Sequence, residues 1–264
     1  MNRTAGYQPD STCPIGVFDS GVGGISVLAA LRRELPCEDF LYFGDTAHAP
    51  YGTKNPEEVL QFSREIMDRL MQKRIKCLVI ACNTASAVAA KELREETDLP
   101  IIAMEPALKP ASLLRHGGKV LVLATPMTLR LPKFQRLYAL YGEGAVPVPC
   151  PGLMEKVETA DDDGARAYLE KILTAHRMDQ VDAIVLGCTH YSFLRPLIRK
   201  MLPENVPVLD GNAGTARQTG HVLSERSLLR DEAREGTIEF LTSGNPETVL
   251  PQMHMLWERA QHLV

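Results

Sequence analysis

Two short stretches of this 264-residue chain place a thiol and polar side chains directly after an apolar run. Residues 77–86 read CLVIACNTAS and close in Cys82-Asn83-Thr84; residues 183–192 read AIVLGCTHYS and close in Cys188-Thr189-His190. Each is preceded by another apolar run with a polar ending: IGVFDSGVGG (15–24) ends in Asp19-Ser20, and KVLVLATPMT (119–128) ends in Thr125. Asp19 and Cys82 stand 63 positions apart (82 − 19), as do Thr125 and Cys188 (188 − 125). That equality predicts two related halves, each presenting one cysteine at the mouth of a strand. Two thiols on matched halves suit chemistry that grips a small molecule from both sides. A thiol at a helix N-terminus is expected to have a lowered pKa and to be reactive. His190, two residues from Cys188, is a candidate proton partner.

Each residue also has a plain structural reading. A cysteine closing a buried strand ordinarily behaves as a small hydrophobe, and that reading is kept for Cys13, Cys37, Cys77 and Cys150. Cys82 and Cys188 differ because they occupy equivalent points and carry polar neighbours on their C-terminal side. Asp19, Thr84 and Thr125 are equally good helix caps. Met67, Leu70 and Met71 read as core or interface.

Elements that would position these groups follow from periodicity. Apolar strands at 15–19, 40–44, 77–81, 101–104, 119–124, 145–149, 183–187, 206–211 and 239–244 alternate with helical periods, among them 56–74, a single segment running from the 119–124 strand to about 141, 164–176 and 212–226. Asn55-Pro56 offers an N-cap and a first helical residue. Residues 150–158, CPGLMEKVE, read as a loop. Strands alternating with helices imply an α/β fold: two pseudo-symmetric doubly wound domains with parallel sheets and an active-site cleft between them. The expected division is a polar N-terminal arm at 1–14, a first domain of 15–103 plus 212–264, and a second of 104–211. In such sheets ligands sit outside the carboxyl ends of the strands, where helix N-termini offer free N–H groups to carboxylates and phosphates.

Composition narrows the function. Apolar residues make up 45% of the chain and the net charge is −4, which supports a large core and argues against nucleic acid as a partner. An anionic substrate must therefore be captured locally. Six cysteines without a CxxC or zinc-type spacing point to reduced thiols in the cytoplasm. No run approaches the ~18 apolar residues of a membrane span, and the first residues lack the apolar segment of a signal peptide. One rival is specific. Gly21-Val22-Gly23-Gly24-Ile25-Ser26 approaches a dinucleotide-binding turn, with Asp45 placed as a ribose-binding acid. It would make the chain an oxidoreductase, but it leaves the paired cysteines unexplained, and Asp19 would repel a pyrophosphate.

IGVFDSGVGGISVL, YFGDTAHAPYGTK, VIACNTASA and VLGCTHYSFL, in this order and spacing, closely resemble the bacterial glutamate racemases of the cofactor-independent aspartate/glutamate racemase superfamily. The resemblance covers nearly the whole chain after residue 14. It implies interconversion of L- and D-glutamate without a cofactor or metal, supply of D-glutamate for peptidoglycan, and often a homodimer. By motif, Cys82 and Cys188 are implied as the catalytic thiols, with Asp19 and His190 assisting. Ser20, Pro50, Tyr51, Gly52, Asn83, Thr84, Thr125, Thr128 and Thr189 are implied as substrate contacts, together with those four. The loop GLMEKVE departs from the more apolar stretch of many relatives. Glu158 aligns with the family's glutamate there, and Glu155 is an extra carboxylate. A racemase for aspartate or another amino acid, and a non-catalytic carboxylate-binding module, are the remaining alternatives.

Overall fold

The computed structural model describes residues 6–263, so the first five residues of the N-terminal arm lie outside the described residues. Among the described residues nine strands form two parallel sheets. The first contains β1 (Ile15–Asp19), β2 (Phe40–Gly44), β3 (Cys77–Ile80), β4 (Ile101–Ala103) and β9 (Ile238–Thr242), in the order β4-β3-β1-β2-β9. The second contains β5 (Lys119–Ala124), β6 (Ala145–Pro149), β7 (Val181–Leu186) and β8 (Val208–Asp210), in the order β6-β5-β7-β8. Read from the other edge, β8-β7-β5-β6 repeats β4-β3-β1-β2. The repeated topology matches β1 with β5 and β3 with β7, but the equal 63-residue interval holds only to within one residue: Val17 lies opposite Val79 in the first half and Leu123 opposite Leu186 in the second, offsets of 62 (79 − 17) and 63 (186 − 123). The central strands are covered on both faces, which is why they are continuous apolar runs. Strand β9 hydrogen-bonds β2, Phe40 lying opposite Ile238, so the C-terminal segment completes the first sheet.

Side-chain alternation sorts these strands into three cores. Ile15, Val17, Cys77 and Val79 from the first sheet meet Leu121, Leu123, Ile184 and Leu186 from the second in one shared core. Phe18, Leu78 and Ile80 face a second core beneath the helices Pro56–Gln72 and Asn83–Glu96. Val120, Val122, Ala183 and Val185 face a third, with Phe134 from the helix Pro132–Tyr141. Asn55 caps Pro56–Gln72 as expected: its side chain accepts from Glu58 N and the Glu58 carboxylate accepts from Asn55 N.

Two local expectations need correction. The segment expected as a loop after Cys150 contains a short helix, Leu153–Glu158, entered through Gly152 at a φ of 78°. Its Leu153, Met154 and Val157 are buried, an i, i+1, i+4 stripe too short to register as a helical period. The single helical segment expected after β5 is two helices, Pro126–Arg130 and Pro132–Tyr141, because Pro132 forces Leu131 into an extended conformation.

Candidate active site

The polar strand endings converge as topology requires. A cavity of about 190 Å3 opens where the carboxyl ends of β1, β3, β5 and β7 meet, and Cys82 and Cys188 both line it. Of the other residues singled out in the sequence, Ser20, Pro50, Tyr51, Gly52, Asn83, Thr84, Thr125, Thr128, Thr189 and His190 are on its wall. Among the described residues no lysine or arginine is, so carboxylates must be met by N–H and hydroxyl groups.

Cys82 ends the extended segment and is the N-cap of Asn83–Glu96; its Sγ accepts from Ala85 N at 3.4 Å and lies 3.6 Å from Ser20 Oγ. The expected lowering of its pKa is not found. Burial and the Asp19 carboxylate push the thiol up to about 12 despite the N–H contact, because the helix offers partial charge while desolvation penalises the whole thiolate. Thr84 and Thr128 share a hydroxyl hydrogen bond of 3.1 Å, linking the two halves across the cavity wall. Thr125 caps its helix by accepting from Thr128 N at 3.2 Å, and its hydroxyl donates to Thr128 Oγ1 at 2.9 Å. Asn83 donates to Met104 Sδ at 3.2 Å, while its buried Oδ1 has no partner among the described residues.

Cys188 sits in different company. Its Sγ is 3.8 Å from His190 Nδ1, and His190 Nε2 is 2.9 Å from Glu158 Oε1. Burial favours the neutral ring, but the contacts with Cys188 and Glu158 outweigh it and hold the imidazole protonated well above its ordinary range. Glu158 does not line the cavity; it reaches the site through His190. Its backbone carbonyl accepts from Gln252 on the C-terminal helix Pro246–Ala260 at 2.9 Å, so the last helix steadies this turn.

Asp19 lies behind the wall. It is fully buried, its Oδ2 accepts from Gly24 N at 2.9 Å, and Thr189 Oγ1 is 3.5 Å from the same oxygen. Burial raises its pKa, opposed by His190 and the surrounding N–H groups. The capping reading of Asp19 and the chemical one therefore coexist: the carboxylate holds the turn and faces the second half.

The glycine-rich turn is already filled by protein. A Cβ at Gly23 would stand 2.3 Å from His190 Nδ1, and one at Gly24 would stand 2.6 Å from Asp19 Cβ. These glycines allow the first half to pack against the Thr189–Leu194 turn, where Ser26 Oγ donates to Thr189 O at 3.0 Å. A pyrophosphate has no room there. Asp45, the supposed ribose acid, instead accepts from Tyr51 Oη at 2.5 Å and pairs with His48 at 2.9 Å, with His48 stacked on Phe62. Its role is to fix the Pro50–Gly52 wall. Both anchors of the dinucleotide reading are thus structural.

Sequence reasoning missed Cys150, Met154 and Tyr191 on the wall and left Glu155 open. Cys150 follows β6, so the strand-end rule marks its place, but no second half-motif singled it out. Tyr191 Oη donates to Cys150 O at 3.0 Å and ties the β6 ending to the Cys188 turn. Among the described residues no group of three or more His, Cys, Asp or Glu is arranged to hold a metal.

Comparison with known proteins agrees with this geometry. Residues 16–219 match the family model described as Asp/Glu/Hydantoin racemase. A glutamate racemase from Bifidobacterium adolescentis is 45% identical over 256 residues, covering 94% of this chain and 99% of the relative. The crystal structure of a Thermus thermophilus glutamate racemase in complex with β-chloro-D-alanine is 39% identical with a TM-score of 0.81, covering 95% of each chain. The Escherichia coli glutamate racemase in complex with L-glutamate and an activator is 29% identical with a TM-score of 0.81, covering 94% of this chain and 95% of that one. With its model matched across both sheets and such relatives covered almost end to end, the chain belongs to the Asp/Glu/hydantoin racemase family.

Proposed function

We propose that this isomerase interconverts L- and D-glutamate by moving the Cα proton between two thiols. The observation that carries the reading is that Cys82 and Cys188, at equivalent strand ends of repeated halves, line one small cavity. Racemisation removes a proton from one face of Cα and delivers one to the other. A single base confined to one face would return the proton where it came from; two groups flanking Cα, one a thiolate and the other a thiol, complete the inversion. Cys82 is assigned to deprotonate D-glutamate and Cys188 L-glutamate. Asp19 assists proton traffic on the Cys82 side. His190, kept protonated, supplies a proton or a counter-charge beside Cys188.

The weak acidity of Cα–H beside a carboxylate is the main barrier. N–H groups of the first helical turn after Cys82, with the Ser20, Thr84, Thr128 and Thr189 hydroxyls, are the donors for the substrate carboxylates, and they stabilise charge developing in the transition state. Exclusion of water from a cavity this small strengthens each of these contacts. Tyr51, Gly52, Asn83 and Thr125 complete the contacts. Glutamate is favoured over aspartate because the near-full-length relatives described above are glutamate racemases.

The same reading makes this a cytoplasmic homodimer that supplies D-glutamate for peptidoglycan, with residues 15–103 plus 212–264 as one domain and 104–211 as the other. No helix among the described residues is long and apolar enough to cross a membrane. Circular dichroism of L-glutamate incubated with the purified protein, no cofactor added, tests the activity. The signal decays to zero if the reading holds. A signal that persists with glutamate, and decays with aspartate, would reassign the substrate.

A further inference from the structure

The cavity wall carries one carboxylate with no partner in the chemistry above. Glu155 lies on the short helix Leu153–Glu158, is exposed, and lines the cavity that holds both thiols. Its carboxylate makes no hydrogen bond or ion pair among the described residues. The adjacent Lys156 does not neutralise it, being paired with Asp161 at 2.9 Å. The other two carboxylates nearby do not line the cavity: Glu158 faces His190, and Asp19 is fully buried with its Oδ2 on Gly24 N. Among the described residues Glu155 is therefore the one carboxylate on the wall, and no lysine or arginine is there to neutralise it.

Glutamate brings three charged groups into this space. Its two carboxylates have donors in the hydroxyl and N–H groups already described. Its α-ammonium needs acceptors, and a bound ammonium left unpaired would be penalised by desolvation. Glu155 borders this cavity of about 190 Å3, on the boundary of the space an amino acid would fill, where an ammonium can be met directly or through a water.

We propose that Glu155 is a substrate-binding residue that pairs with the α-ammonium and makes the site discriminate amino acids from deaminated dicarboxylates. This rests on the glutamate reading and adds to it a selectivity determinant.

The test compares D-glutamate with glutarate, which has both carboxylates and no ammonium, in the wild type and in Glu155→Gln, Glu155→Asp and Glu155→Ala. In Glu155→Gln, KM for either enantiomer should rise about two- to fivefold, the range of a partly screened ion pair, with kcat within about twofold. The inhibition constant of glutarate should fall or hold, since a repelling charge has gone, and Glu155→Asp should restore part of the difference. Calorimetric binding of the two ligands gives the same ratio without turnover. An unchanged glutamate-to-glutarate ratio in Glu155→Gln would overturn the proposal, as would a kcat loss at constant KM. Wild-type racemisation in the same experiment tests the glutamate reading by itself, and only the variant-to-wild-type ratio bears on Glu155.

Discussion

The two halves of the molecule share a strand order but turn opposite faces to the centre. Val79 on β3 lies in the shared core, whereas Val185, its counterpart on β7, lies in an outer core. The helix Ile25–Glu34 after β1 is packed into the shared core; the helices after β5 cover the outside, with Leu129 and Phe134 in the third core. Two thiols at equivalent strand ends therefore arrive at one cavity in unlike surroundings. Cys82 packs with the core outside the first sheet, beside a hydroxyl and a buried acid, and is held as a neutral thiol. Cys188 packs with the shared core beside an imidazolium backed by a carboxylate. Repetition supplies two thiols at one cavity, and the asymmetric packing gives them different surroundings.

Removing either thiol should have the largest effect. Cys82→Ala and Cys188→Ala should each lose racemisation by more than about 10⁴-fold, comparable with loss of a nucleophile or base elsewhere. The single remaining thiol should still exchange the Cα hydrogen of one enantiomer with D2O, L-glutamate for Cys82→Ala and D-glutamate for Cys188→Ala. NMR of the recovered substrate reads this directly. Normal turnover in either variant would end the two-thiol account, and exchange of the same enantiomer by both would erase the assigned difference between the halves.

Changes to the Cys188 side should be intermediate. His190→Gln removes the imidazolium and should lower kcat by about 10²–10³-fold, within the range of general acid–base catalysis. Glu158→Gln acts only through His190 and should cost about tenfold in kcat. Stability carries the same signature. The folded-state pKa of His190 is raised, so its contribution is complete below the unfolded histidine value of ~6.5 and is lost as pH rises through the folded value. The wild-type Tm should decline on that rise and Glu158→Gln should show a shallower decline. Equal slopes would mean that the Glu158 contact does not hold the proton.

Much of this is legible in the sequence because two kinds of signal agree. Buried strands leave apolar runs, and the repeated 63-residue interval puts Cys82, Cys188 and their polar neighbours at matching strand ends. The remainder depends on contacts between distant segments. Nothing local in SGVGG distinguishes a phosphate cradle from a turn that receives a histidine ring; the His190 side chain decides it from 167 positions away (190 − 23). Nor does EKVE reveal which of Glu155 and Glu158 faces His190, since that depends on a six-residue helix whose buried face is only three residues wide. The raised pKa of Cys82 is hidden for the same reason: helix position can be read from sequence, but the Asp19 carboxylate and the depth of burial cannot.

The most direct measurement is the isotopic fate of Cα when L-glutamate is racemised in D2O and sampled at low conversion. D-glutamate should carry deuterium at Cα from its first appearance, because Cys188 removes protium from one face while Cys82, exchanged with solvent, delivers deuterium to the other. D-glutamate that retains its original hydrogen would mean one group carried the proton around, and would contradict the claim that two thiols on two halves share the reaction.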